Sequence, residues 1–177
     1  MTTAIKVQVE TGTLAENNAA FVYFYTPHYK HYTDWNNDTE VRLFGLVDRW
    51  DGSFGFPGGK VDEKPCGVME TLKETALREA VEEVGADNLD EDKLNLVCSH
   101  QAKKGFNTHL FTYEVGVEEL YQLQHNSLVT SHGRIEGSNC LLVRHANDKS
   151  VYNLMNNSAL ASTVKEEIDV LVEGGLM

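Results

Sequence analysis

The chain is poor in the features that would send it out of the cell, into a membrane or onto a polyanion. Its three cysteines, Cys66, Cys98 and Cys140, are odd in number, widely spaced and without a CxxC pair. That pattern argues against a disulfide framework and against a thiolate zinc site. No run approaches the ~18 apolar residues of a membrane helix, and Met1 to Ala4 supply neither a basic end nor an apolar stretch. The expectation is a soluble, non-exported protein of the cytoplasm. Basic residues are scarce too: 15 Lys and Arg stand against 27 Asp and Glu, a formal net charge of -12. Such a field repels polyanions and opposes a broad nucleic-acid-binding surface. A small phosphorylated substrate remains compatible, because a local basic pocket or a bound cation reverses the field where it matters.

Internal repeats, low-complexity stretches and linkers are also missing, so residues 1–177 are expected to form a single domain. With 41% apolar and 24% charged residues, a chain of this length buries roughly 70% of its unfolded surface. Ile5, Val7 and Val9 alternate with polar residues and read as a strand, as do Ala19 to Tyr25 and Val41 to Val47. His28 to Thr39 and the glycine-rich WDGSFGFPGGK (Trp50 to Lys60) read as loops. Helical spacing runs from about Met69 to Val84, with Gly85 as its C-terminal cap. Strands resume at Leu94 to His100 and Thr108 to Val115, around a turn at Lys103-Lys104-Gly105. A short helix is expected at Val117 to Gln124 and a strand at Asn139 to Arg144. Leu160, Val164, Ile168 and Leu171 mark an amphipathic terminal helix, behind Asn157 and Ser158 as caps and ahead of Gly174 and Gly175. The fold class is α/β (α+β), a mixed sheet flanked by helices.

Chemistry concentrates in ETLKETALREAVEEVGA, Glu70 to Ala86. Glu79, Glu82 and Glu83 stand at i, i+3 and i+4, an arc of about 100° within ~6 Å of rise, close enough to share one hard cation or a pair. Leu77, Ala80, Val81 and Val84 take the opposite arc, which would bury that side and leave the glutamates facing a cleft. Arg78 is placed to pair with Glu74 or Glu82. Three glutamates beside an arginine are more often just a solvated acidic face. The fuller spacing changes that reading. Glu70, seven residues, Arg78-Glu79, two residues, Glu82-Glu83, one residue and Gly85 match six fixed positions, a coincidence of ~10⁻⁷ per window at ordinary composition.

This spacing resembles the second part of the Nudix box, G-x5-E-x7-R-E-U-x-E-E-x-G-U, with Ala80 and Ala86 at the aliphatic places. The box glycine is similar to Gly59 in GFPGGK. It stands eleven residues before Glu70 instead of six, so five extra residues fall within Asp62 to Val68. Loop closure costs little more for a longer loop, so the helix need not be disturbed. The resemblance implies an α/β/α sandwich with a loop-helix-loop motif and a magnesium-dependent hydrolase of nucleoside diphosphates linked to another group, with manganese as an alternative cation. It assigns Glu79, Glu82, Glu83 and the carbonyl of Gly59 to the metal, Glu79 also to activation of water, and Arg78 and Glu70 to orienting the carboxylates.

Further matches in order and spacing lie at Arg49 to Gly59, Ser99-His100, His109, Val117 to Leu120, His132-Gly133 and Asn157-Ser158. They are similar to the small-nucleolar-RNA-decapping subgroup, which acts on capped RNA and inosine diphosphates as a homodimer. By position that subgroup implies Arg49, Phe56 and Gly58 at the nucleotide. Asn18 and Glu166 stand where it has a base-contacting histidine and glutamine. Arg49 has the alternative of pairing with Asp48 or Asp51, and Phe56 that of a core residue. Glu136, in SHGRIEGSN, is a candidate extra ligand or base, or an ordinary loop carboxylate. The aromatic and histidine cluster His28, Tyr29, His31, Tyr32 and Trp35 has no ligand spacing. The cysteines read as small buried residues. Substrates left open are purine nucleotides, ADP-ribose and nucleotide sugars, dinucleotides and a short capped RNA. A non-catalytic binding module on the same fold is the alternative of a different class.

Overall fold

A computed structural model describes residues 18–27, 29–30, 40–101, 107–130, 140–146, 148–156 and 159–177. The expected strand at Ile5 to Val9, the turn at Lys103 to Gly105 and the caps Asn157 and Ser158 lie outside the described residues. Strand β1 (Asn18–Tyr25) is the axis of the sheet. Its run NAAFVYFY is buried on both faces, which suits a strand covered from both sides. Along one edge it pairs in parallel with β7 (Asn107–Glu114) over all eight residues. Its other edge is shared: β5 (Gly58–Lys60) pairs antiparallel with Ala19 to Phe21, and β3 (Glu40–Asp48) joins at Tyr25. Strand β6 (Asn95–Gln101) flanks β7, and β8 (Cys140–Ala146) flanks β3. Two short strands, β2 (Tyr29–Lys30) and β4 (Phe54–Gly55), also pair with β3. The stretches expected to be plain loops therefore carry pairing: Tyr29–Lys30 in the first, β4 and β5 in the second.

Alternate residues of β1 serve two cores. Ala20, Val22 and Phe24 face the helices α1 (Leu72–Val84) and α2 (Val117–Ser127). Tyr23 faces Ile168 and Leu171 of the terminal helix α4 (Val164–Glu173). The result is the expected mixed sheet between helical layers. Each fully buried Leu or Ile on α4 contributes about 1.5–3 kcal/mol, so its apolar face holds it on the sheet. Among the described residues no helix is long and apolar enough to cross a membrane.

Three helix boundaries differ from those expected, α2 running on to Ser127 instead of ending at Gln124, and one helix is new. Helix α1 starts at Leu72, not Met69, because Thr71 forms a capping box: its hydroxyl accepts from Glu74 N at 3.2 Å while Glu74 Oε2 accepts from Thr71 N at 2.8 Å. Gly85 ends the helix as expected, in the left-handed region at φ 61°. Helix α4 starts at Val164, because Leu160 is drawn into a bridge with Phe54. Helix α3 (Asp148–Met155) was not read from the sequence. The buried strip of α1 is also rotated from expectation. Leu72, Ala76, Ala80 and Val84 are buried with Glu79 and Glu83 beside them, whereas Val81 is exposed.

The five extra residues form a small hairpin. Glu63 and Met69 pair antiparallel, Lys64 N donates to Val68 O at 2.8 Å, and Gly67 turns the chain at φ 79°. The neck closes where Glu70 N donates to Asp62 O at 2.9 Å. Glu70 therefore arrives beside α1 as if the excursion were not there.

Candidate active site

Helix α1, the hairpin neck and β5 converge on one edge of the sandwich. Arg78 is the hub. Its Nε and Nη2 donate to the two carboxylate oxygens of Glu70 at 2.9 and 3.2 Å, a planar fork suited to a carboxylate. Its Nη1 donates at 2.9 Å both to Glu79 Oε1 and to Glu82 Oε2. Nη2 also donates to Lys60 O at 2.9 Å, tying the helix to the end of β5. Of the two pairings expected for Arg78, that with Glu82 is made. Glu74 instead joins Lys64 at 2.7 Å and the capping box.

Glu70 precedes the helix cap and is held from three sides. Besides Arg78, Thr75 Oγ1 donates to its Oε2 at 2.9 Å, and the amide of Asp62 approaches the same oxygen at 3.4 Å. Burial works against its charge, but the hydrogen bonds from Arg78 and Thr75 outweigh burial and hold the carboxyl below its ordinary range. Burial likewise disfavours the Arg78 cation, and the surrounding carboxylates reverse this, so its pKa is raised above an already high value.

Glycines shape the other wall. A Cβ on Gly59 would sit 2.3 Å from Glu79 Oε1, so the carboxylate lies flat against the glycine backbone. Gly58 N donates to Glu83 Oε2 at 2.9 Å, and its φ of 148° together with a Cβ position 2.2 Å from Ala20 O admits only glycine. Gly59→Ala should therefore displace Glu79. The expected result is a loss of divalent-metal binding on the order of tenfold or more, with circular dichroism unchanged; wild-type binding in the variant would refute the contact.

The donor set fits a hard divalent cation. The set implied by the box, the carboxylates of Glu79, Glu82 and Glu83 with the Gly59 carbonyl, is made of the oxygen ligands that magnesium and manganese prefer. One guanidinium divided among four carboxylates, those of Glu70, Glu79, Glu82 and, at 3.6 Å, Asp62, cancels at most one of their charges, which leaves the edge attractive to cations. Among the described residues no three acidic, histidine or cysteine side chains are gathered into a ready ligand cluster. The geometry gives the reason: Glu79 and Glu82 are drawn onto Arg78, and Glu83 onto the Gly58 amide.

The other candidates divide. Arg49 opens a tight turn closed by Gly52 N to Arg49 O at 2.9 Å, its side chain lies across Gly55, and its buried Nε has no hydrogen-bond partner. Asp51 turns its Oδ1 to Ser53 at 2.6 Å. Phe56 is 1% exposed and packs edge-on against Tyr23 at 5.6 Å, so its ring belongs to the core and is not displayed in a cleft. Glu136, His132 and Gly133, Lys103 and Lys104, and His28, His31, Tyr32 and Trp35 lie outside the described residues. Asn18 is buried and engaged by His109 and Asn107 at 3.0 and 3.2 Å. Glu166 is half-buried on α4, where its charge favours the protonated form of His100 against the stronger effect of burial. Cys66 is exposed at the hairpin turn, contrary to the buried reading, while burial pushes Cys98 up to about 12.

Sequence reasoning missed Thr75 and the capping box, although the Thr71-x-x-Glu74 spacing announces the box. It also missed the burial of Ser99 and His109 within the sheet and of Glu167 on α4, which no local spacing reveals.

Comparison with known proteins agrees with this geometry. No curated protein matches the chain. Among solved structures, a mutT/nudix family protein from Listeria innocua is 14% identical, with 92% of this chain and 95% of that chain covered and a TM-score of 0.60. The NUDIX domain of Shewanella oneidensis NrtR, complexed with ADP ribose, is 16% identical, with 92% and 90% covered and a TM-score of 0.52. These likenesses show the fold. The family model described as Nudt16-like, U8 snoRNA-decapping enzyme-like, matches residues 18–170. With the box residues gathered on and beside α1 and most of its length matched, the chain belongs to the Nudt16-like family of Nudix hydrolases, enzymes that act on pyrophosphate bonds.

Proposed function

We propose that this chain is a magnesium-dependent pyrophosphohydrolase of nucleoside diphosphates linked to a further group, with purine nucleotides such as inosine diphosphate as the favoured class. The observation that carries the reading is the Glu79 carboxylate laid against Gly59 while sharing Arg78 with Glu70 and Glu82. Glu79, Glu82, Glu83 and the Gly59 carbonyl are the residues that would hold the cation. When bound, magnesium neutralises the diphosphate and lowers the pKa of coordinated water. Glu79 accepts the proton of the attacking water. The oxygen of that water forms a new bond to phosphorus as the bridging P–O bond breaks, so the atoms of one water are divided between two phosphate-ended products. Arg78 and Glu70 orient Glu79, and Gly58 does the same for Glu83 through its amide. Arg49, with its unpartnered buried Nε, is the candidate for the nucleotide's phosphate.

Capped RNA is the second substrate class, supported by the description of the matching family. The net charge of -12 favours a short cap fragment over long RNA. ADP-ribose belongs in the same panel, because the NrtR domain binds it on a similar fold. A cytoplasmic homodimer completes the proposal, and light scattering of the purified protein tests its oligomeric part.

The test is a screen, with magnesium and then manganese, that reads released phosphate and separates the nucleotide products by chromatography. It covers inosine and other purine diphosphates and triphosphates, ADP-ribose, nucleotide sugars, dinucleotides and a short capped RNA. Metal-dependent turnover of purine diphosphates is expected. Turnover confined to another class would replace the substrate, and nucleotide binding without turnover would favour the binding module.

A further inference from the structure

Beneath the candidate site, three polar side chains from three strands form a chain with little access to water. Ser99 Oγ lies 2.8 Å from His109 Nδ1, and His109 Nε2 lies 3.0 Å from Asn18 Oδ1. Asn107 Nδ2 donates to the same Asn18 oxygen at 3.2 Å, which identifies that oxygen as an acceptor. His109 must then carry its proton on Nε2, leaving Nδ1 to accept from the Ser99 hydroxyl. The ring is fully buried and burial lowers its pKa to about 4, so it stays neutral and the direction of the chain is fixed.

The strand register shows where this chain leads. Ser99 pairs with His109, His109 with Ala20, and Ala20 with Gly59. These four residues form one row across β6, β7, β1 and β5, with paired side chains on the same face of the sheet. His109 thus stands two strands from Gly59, roughly 10 Å, in line with the glycine against which Glu79 lies. Asn18, the other end of the chain, accepts Val61 N on its carbonyl at 2.9 Å, directly after β5. At the far end of β5, Val22 N donates to Pro57 O at 2.8 Å. The three-residue strand bearing both site glycines lies between these two attachments, paired along its length with Ala19 to Phe21. A buried polar chain stabilises a fold less well than apolar packing of the same volume, and its gain is orientation.

We propose that the Ser99–His109–Asn18 chain is a positioning device for the metal site, with His109 as the positioning residue that sets where β5 presents Gly58 and Gly59 to Glu83 and Glu79. The inference rests on the metal-site reading above. Its test uses manganese alone, followed by electron paramagnetic resonance without substrate, beside nucleotide KM and thermal melting of the full chain. His109→Leu, which keeps the volume and removes both hydrogen bonds, should weaken manganese binding about tenfold, with nucleotide KM within about twofold. His109→Gln, able to donate and accept, should recover most of the loss. If His109→Leu does not fold, Ser99→Ala carries the test, with a weakening of about threefold expected. Wild-type manganese binding in the folded variant, a change in KM without a change in metal binding, or equal damage by Leu and Gln overturns the inference. No manganese binding by the wild type overturns the metal-site reading itself.

Discussion

Replacing Glu83 with Gln should lower turnover by about a thousandfold or more, a barrier increase of about 4 kcal/mol. The reason is specific to this position. Glu83 is nearly buried, and its Oε2 already accepts the Gly58 amide at 2.9 Å. Glutamine can keep its carbonyl oxygen on that amide, so the glycine wall should stand and melting should shift by only a few degrees, about 1 kcal/mol for a chain of this size. What is lost is the charge that a divalent cation needs. Steady-state kinetics on the substrate found in the screen, with melting of the same preparation, measures both effects. A folded variant that retains turnover would sink the mechanism.

Glu167 should make the protein lose stability as pH rises from 4.5 to about 7. It is 2% exposed on the inner face of α4, with Thr163 donating to its Oε1 at 2.8 Å. Burial raises its pKa from 4.5 to about 7, Thr163 and Thr108 oppose the rise, and the charge of Glu166 adds to it. The native state therefore holds this proton more tightly than the unfolded chain does. The stabilisation is complete below 4.5, fades between 4.5 and about 7, and is gone above that. The linkage is worth about 3 kcal/mol, or roughly 5–10 °C in Tm. Glu167→Gln stays neutral at every pH, so the variant should melt near the wild type at pH 4 and above it by that amount at pH 8. The difference between the two proteins cancels other titrations, including that of His109, whose depressed pKa acts in the opposite sense. A constant difference across the range would refute the buried-acid account.

The two predictions differ in what the sequence could reveal. Glu79, Glu82 and Glu83 are legible because a helix turns spacing into a shared face, and the wider pattern from Glu70 to Gly85 raises them above an ordinary acidic stripe. Their partners are legible only in part. Arg78 to Glu82 is an i, i+4 contact, but the fork onto Glu70 depends on a chain reversal that precedes the helix. Leu160 continues the period of α4, yet the Phe54 strand captures it, a tertiary contact that periodicity cannot weigh. Phe56 matches a nucleotide-lining position by order along the chain, while its ring packs under Tyr23. Ser99, His109 and Asn18 are separated by ten and ninety-one residues and meet only through strand register. Glu167 reads as one more acidic residue on an acidic helix until Thr163 and Thr108 close over it.

The neck at Asp62 and Glu70 has a consequence for engineering. Because the neck is closed by the bond from Glu70 N to Asp62 O, the length of the hairpin beyond it is uncoupled from the placement of Glu70. Doubling such a loop costs only about 0.6 kcal/mol in closure entropy. The turn at Pro65, Cys66 and Gly67 is exposed, and it already carries a thiol. A spectroscopic label or a grafted peptide at this tip would travel with the carboxylates without entering their hydrogen-bond network, giving a reporter port beside the site rather than within it.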